Sequence, residues 1–320
     1  MDLTERRAFG KTGVDVTPLC LGTSGWGPPG PGETLAHRDS RIDELADAFY
    51  AGELPTNFID TSNMYGNSES EALIGRARTR AGTPGERIVL QTKLDRDLND
   101  DSFSAQQMWR SLEQSLERLG VDQVQVLYLH DPQVIGFEAS MAIGGPVEAL
   151  LQMKERGIAG SIGISGGPVA MLQQFVETDA FDALVTHNRY TLVDRSANRL
   201  LDTAHHKGIG ITNAAPYGGG ILTGDPRFSG LYGYRPILPL VQAAIDGVAG
   251  LCADAQVTMS AAALQFSMRD PRIHSTIIGV TSRRRLDDTL REANERIPES
   301  IWAELDVFVP PATSALDAPR

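Results

Sequence analysis

Cysteine is scarce. The 320 residues contain two, Cys20 and Cys252, far apart and in no C-x-x-C or Cys/His cluster, so neither a disulfide framework nor a zinc site is available. Positive charge is also in deficit: 29 Lys and Arg face 41 Asp and Glu, a formal charge of −12. That balance argues against coating a nucleic acid or gripping an anionic membrane, both of which need clustered cations. No apolar run approaches the ~18 residues of a membrane helix. The opening MDLTERRAFGKTG has charges with no apolar stretch behind them, unlike a secretory signal. No G-x-G-x-x-G follows the first apolar run, so a Rossmann dinucleotide domain is disfavoured. The expectation is a soluble, cytoplasmic protein acting on a small molecule, with no metal, nucleic acid or membrane as partner; the sequence leaves its oligomeric state open.

What the sequence does have is alternation. With 41% hydrophobic residues it can bury a large core, and its length suits two small domains or one large barrel. Short β-rich runs occupy residues 17–22, 57–61, 88–93, 124–130, 161–165, 183–188, 210–213 and 275–279. Between them lie helical patterns at 41–50, 69–79, 104–119, 146–156, 169–177, 196–207, 238–255 with 260–269, and 284–294. In 104–119, Met108, Leu112, Leu116 and Leu119 form one stripe, Ser104 can cap its start and Gly120 can end it. Eight strands each followed by a helix predict an α/β fold, a (β/α)8 TIM barrel in a single domain over 1–320, with an irregular tail at 310–320. One interruption stands out: residues 217–236 hold six glycines and two prolines, long enough for a functional loop.

In such a barrel the site lies at the C-terminal ends of the strands. Asp60 ends the second strand with Tyr65 in the loop beyond, Lys93 ends the third and His130 the fourth. Each alone has a structural reading: a turn cap, loop packing, a solvated strand end, a core histidine. Together they suit proton transfer in hydride chemistry. A tyrosine, ordinarily near pKa 10, works close to neutrality only if a cation favours its phenolate, which Lys93 can do while Asp60 holds the ammonium. His130 can donate to an oxygen on which negative charge develops.

At these positions the sequence resembles the aldo-keto reductase family. FIDTSNMYGNSESEALIG at 58–75, TKLD around Lys93 and LYLHDP around His130 look like the family's catalytic segments, and the resemblance covers almost the whole chain. It implies a barrel that binds NADP(H) or NAD(H) in extended form, hydride passing between nicotinamide and a carbonyl or alcohol, with Tyr65, Asp60, Lys93 and His130 catalytic. Cofactor positions implied are Gly22 and Thr23 beside the nicotinamide ribose, Ser165 with Asn188 at the carboxamide, Ser282 and Arg285 at the 2′-phosphate, and Asp288 near the adenine, together with Asp60, to which no part of the cofactor is assigned. Arg283 and Arg284 add charge there, favouring NADP(H); NAD(H) stays open, and Thr289 replaces the family's usual Asn. Gly166 stands where the family often has Asn, and Ala214 where it has the aromatic that stacks on the nicotinamide; Tyr217 is the candidate replacement.

HNRYTLVDRSA, GGPVEALLQMKERGIAGSIGIS and NAAPYGGGILTG look most like the branch of sugar dehydrogenases that oxidise aldoses such as L-fucose, L-galactose and D-threo-aldoses, related to pyridoxal 4-dehydrogenase. The resemblance implies oxidation of an anomeric hydroxyl to a lactone, with Trp26, Arg189, Tyr190 and Tyr217 as candidate sugar contacts. An NADPH-dependent aldehyde or ketone reductase, or an NADPH-sensing regulatory subunit, are the other readings. Substrate choice is expected to lie in the loops at 26–38, 133–145 and 217–236.

Overall fold

The computed structural model describes residues 2–82, 88–310 and 316–317. A short hairpin, β1 (Arg7–Ala8) with β2 (Asp15–Val16), precedes the first barrel strand, β3 (Leu19–Gly22). The barrel continues through β4 (Phe58–Asp60), β5 (Val89–Leu94), β6 (Val124–His130), β7 (Ala159–Gly166), β8 (Ala183–His187) and β9 (Gly210–Ala214). After a second hairpin, β10 (Leu231–Tyr232) with β11 (Arg235–Pro236), it ends with β12 (Ser275–Gly279). All eight expected barrel strands are present, and they close in the order β12-β3-β4-β5-β6-β7-β8-β9, with every neighbouring pair parallel. This is the (β/α)8 barrel.

Around it run α1 (Leu35–Tyr50), α2 (Glu69–Ala81), α3 (Ala105–Leu119), α4 (Gly136–Met141), α5 (Pro146–Glu155) and α6 (Val169–Glu177). They are followed by α7 (Asn198–His206), α8 (Pro239–Asp254), α9 (Met259–Arg269), α10 (Arg283–Asn294) and α11 (Ser300–Leu305). Local chemistry sets their ends. Ser104 accepts from Gln107 N at 3.2 Å, and Gly120 at φ +64° stops α3, as the capping pattern requires. The largest difference from the sequence reading is α1, which starts six residues early because Thr34 caps it by accepting from His37 N. The hairpins, α4 and α11 are too short to leave a periodic signal. Of the expected irregular tail, only residues 310, 316 and 317 are described. No single described helix is long and apolar enough to cross a membrane.

Two packed layers hold the barrel. Leu, Ile and Val side chains facing outward from the strands meet the helices, while Phe9, Cys20, Phe58, Val126, Tyr128, Val185 and Ile277 fill the interior. The hairpin lies across the N-terminal end. Lys11 N donates to Gly208 O at 2.7 Å, and Phe9 meets Phe58 edge to face at 5.4 Å. Gly10, at φ +54°, presses so closely on β9 that a Cβ there would stand 2.3 Å from Gly210 N, so only glycine fits.

Candidate active site

A cavity of about 710 Å³ opens at the C-terminal ends of the strands. Gly22, Asp60, Tyr65, His130 and Ser165 line it, together with Tyr217 and Arg285. Beneath this mouth a chain of buried polar contacts crosses the barrel. Tyr128 donates to Gln91 Oε1 at 3.0 Å, and Gln91 Nε2 donates to Asp60 Oδ1 at 2.7 Å. Lys93 Nζ donates to the same Asp60 oxygen at 2.7 Å, to Thr61 O at 2.8 Å and to the Tyr65 hydroxyl at 3.1 Å. All three ammonium protons are therefore placed. Burial alone would lower the Lys93 pKa, but Asp60 and Tyr65 outweigh it and the ammonium is held charged.

Burial pushes the Tyr65 phenol well above its ordinary value, and Lys93 only partly offsets this. Lys93, donating to its oxygen, favours the phenolate as expected, but burial outweighs it and the phenol is the resting form. His130 stands beside it, the two rings edge to face at 5.6 Å. Its Nδ1 is 2.6 Å from Asp95 Oδ1 and 3.1 Å from Ser62 Oγ. Burial would lower the His130 pKa, yet Asp95 and Asp131 raise it overall.

Asp95 is one of the residues that sequence reasoning missed at this site, with Gln91, Asp131 and His187. It also accepts from Ser62 Oγ and from Met64 N, the latter at 3.0 Å, and so anchors both His130 and the loop that carries Tyr65. The available signal was its place as the acid of TKLD, two residues after Lys93.

The other expected residues divide. Gly22 and Ser165 line the cavity, as does Arg285, which makes no ion pair within 4 Å among the described residues. Ser282 caps α10 by accepting from Arg285 N at 3.2 Å, which places the cavity beside that helix's N-terminus. Thr23 is fully buried and donates its hydroxyl to Asp60 O; its neighbour Ser24 reaches the cavity instead. Asp288 pairs with Arg291 away from the cavity. Thr289 is buried and donates to Arg285 O at 2.9 Å. Asn188 follows the end of β8 and lies outside the lining, its Oδ1 buried without a hydrogen-bond partner among the described residues, while His187, on the same face as Val185, lines the cavity. Asn188 Nδ2 is 3.1 Å from His187 Nδ1, and burial holds His187 neutral. Ala214 lines the cavity, and Tyr217 does so further along, its hydroxyl donating to Glu292 at 3.0 Å.

Three candidate sugar contacts are elsewhere. Trp26 is a core residue, fully buried with Nε1 donating to Val280 O at 2.8 Å. Arg189 ion-pairs with Asp317 at 2.6 Å. Tyr190 donates to Asp270 at 2.5 Å and packs on Phe266. Burial of their polar atoms against these partners withdraws all three from the cavity.

The donor set fits a nicotinamide dinucleotide. An unpaired guanidinium beside a helix N-terminus is suited to phosphate. At the other end, hydroxyl and imidazole groups from Ser165 and His187 can meet an amide. Beside Gly279 on the wall, a Cβ would meet nothing within 4 Å, so the space is open. Among the described residues no group of three or more His, Cys, Asp or Glu could hold a metal ion.

Comparison with known proteins agrees with this geometry. The aldo/keto reductase family model matches residues 18–309. L-galactose dehydrogenase of Arabidopsis thaliana is 27% identical over 300 residues, covering 92% of this chain and 90% of that one. D-threo-aldose 1-dehydrogenase of a Pseudomonas species is 28% identical over 272 residues, 78% and 82% of the two chains. An aldo-keto reductase from Bacillus halodurans, solved in its holo form, superposes with a TM-score of 0.79 at 17% identity over 98% of this chain and 99% of that one. The fold and site define a barrel oxidoreductase. The chain belongs to the aldo/keto reductase family and is an NAD(P)-dependent oxidoreductase.

Proposed function

We propose that the protein is an aldose 1-dehydrogenase, taking the anomeric hydroxyl of a cyclic sugar to a lactone. The observation that carries this reading is the pairing of Tyr65 with His130 above the Lys93–Asp60 ion pair, on a wall that also carries Asp131 and His187. Relatives named for L-galactose and D-threo-aldose oxidation support the substrate class. When bound, the nicotinamide supplies the acceptor for the hydride leaving C1. The Tyr65 phenolate, stabilised by Lys93, takes the hydroxyl proton and later releases it to water; His130 Nε2 donates to the same oxygen and orients it. Asp60, itself held by Gln91, keeps Lys93 in place. Arg285 favours NADP over NAD, and the site works with either.

A second reading, an aldehyde reductase using NADPH, is favoured by one observation: burial keeps Tyr65 protonated, which suits an acid. Initial rates with L-galactose, L-fucose and D-arabinose, each with NAD and NADP, set against aldehydes with NADPH, separate the two. Turnover of aldehydes without any sugar oxidation refutes the dehydrogenase.

A further inference from the structure

One ionised group on the cavity wall has no part in the hydride chemistry. Asp131 directly follows His130 and lines the cavity. Its backbone sits at φ +50°, in the left-handed region that Asp tolerates better than most residues but that its surroundings must enforce. Asp131 N donates to Ser165 O at 2.8 Å, which fixes that conformation. Carboxylate Oδ1 is buried without a hydrogen-bond partner among the described residues. A Cβ built at Gly166 would lie 3.8 Å from it, in ordinary contact, and 3.3 Å from Gln133 Oε1, so only Gln133 would have to give way. The Asp131 side chain is still 33% exposed, and with Oδ1 covered the accessible oxygen is Oδ2. That oxygen stands 3.9 Å from His130 Nε2. Burial would raise the carboxyl pKa, but nearby positive charge, that of His130 first, more than offsets it and keeps the group ionised.

We propose that Asp131 Oδ2 accepts a hydrogen bond from a hydroxyl on the carbon next to the reacting one. The site would then select aldoses and 2-hydroxyaldehydes over plain aldehydes and alcohols. In the oxidative direction this rests on the aldose reading above. The geometry is that of a vicinal pair of oxygens: one lies within reach of Tyr65 and His130, and its neighbour, about a hydrogen-bond length (~2.8 Å) away, falls beside Oδ2. An ionised carboxylate only accepts. A substrate lacking that hydroxyl strips water from the carboxylate and returns nothing, which is how a polar site rejects an analogue.

The test measures kcat/KM for two substrate pairs with the full chain: glyceraldehyde against propanal with reduced cofactor, and L-galactose against its 2-deoxy analogue with oxidised cofactor. Asp131→Gly removes the carboxylate and relieves the backbone; Asp131→Asn keeps the shape and the left-handed preference while losing the charge. The wild type is expected to prefer the hydroxylated member of each pair by about 10- to 100-fold, with Asp131→Gly erasing the preference to within about threefold and Asp131→Asn intermediate. A preference that survives in both variants overturns the inference, as does a wild type with none. A merely structural role lowers both members of a pair alike and leaves their ratio, which counts against it equally. If no sugar is oxidised while aldehydes are reduced, the aldose reading fails and the glyceraldehyde-to-propanal ratio still decides the role of Asp131.

Discussion

His130 Nδ1 lies 2.6 Å from Asp95 Oδ1, both groups buried. The contact fixes the ring so that Nε2 faces the cavity, and it raises the histidine pKa against the pull of burial. Replacing Asp95 by Asn should lower that pKa, seen directly in the ring nitrogen NMR titration. A histidine with a raised folded pKa adds stability that is complete below its unfolded value, about 6.5, and is lost as pH rises through the folded one. The Asp95→Asn deficit in urea unfolding should therefore be largest below about pH 6 and shrink on the alkaline side. A deficit independent of pH would contradict the assignment.

Tyr65→Phe should cost about 10²- to 10⁴-fold in turnover, the usual worth of a positioned acid or base, while fluorescence titration shows NADPH binding retained. Unchanged turnover would refute the proton-transfer role.

The wild-type pH profile offers a separate check. Because burial holds the phenol above its ordinary value, the oxidation rate should keep climbing through about pH 10 as phenolate forms, and the reductive rate should not need a high pH. A plateau in oxidation near neutrality would argue for a different base.

Lys93→Met leaves Asp60 as a buried carboxylate without its cation, at a cost of about 3–5 kcal/mol. Adding Asp60→Asn should restore much of the stability but none of the activity. Chemical denaturation of the single and double variants reads the difference. A double variant no more stable than the single would show that the ion pair is not what Lys93→Met disrupts.

For Arg285→Ala, the KM for NADP should rise about tenfold, the loss expected when one charge-assisted contact is removed, and the KM for NAD should move less. Equal effects on both would remove Arg285 from the 2′-phosphate.

Trp26→Phe, by contrast, is a stability variant. It leaves the Val280 carbonyl without its buried donor and should cost about 1–3 kcal/mol, with a KM for sugar close to that of the wild type.

The barrel and its four central polar residues are legible because strand ends are local features. Asp60, Lys93 and His130 each close an apolar run, and the fold brings such ends to one rim. His187 was passed over although it shares the inward face of Val185, because the reading stopped at Asn188, the polar residue that follows the run. Trp26 sits between glycines, as a loop residue would, yet the chain folds it inward, where Gly27 and Gly66 approach so closely that neither admits a side chain. Arg189 looked free because its partner, Asp317, is 128 residues away in sequence. Asp95 needed only the recognition that a histidine at a strand end requires a group behind it.

Phe9 and its hairpin stopper the far end of the barrel, with Tyr128 and Val185 filling the space above. The packed interior thus separates the hairpin from the cavity, so a change in the hairpin is read in unfolding and not in the KM for either ligand.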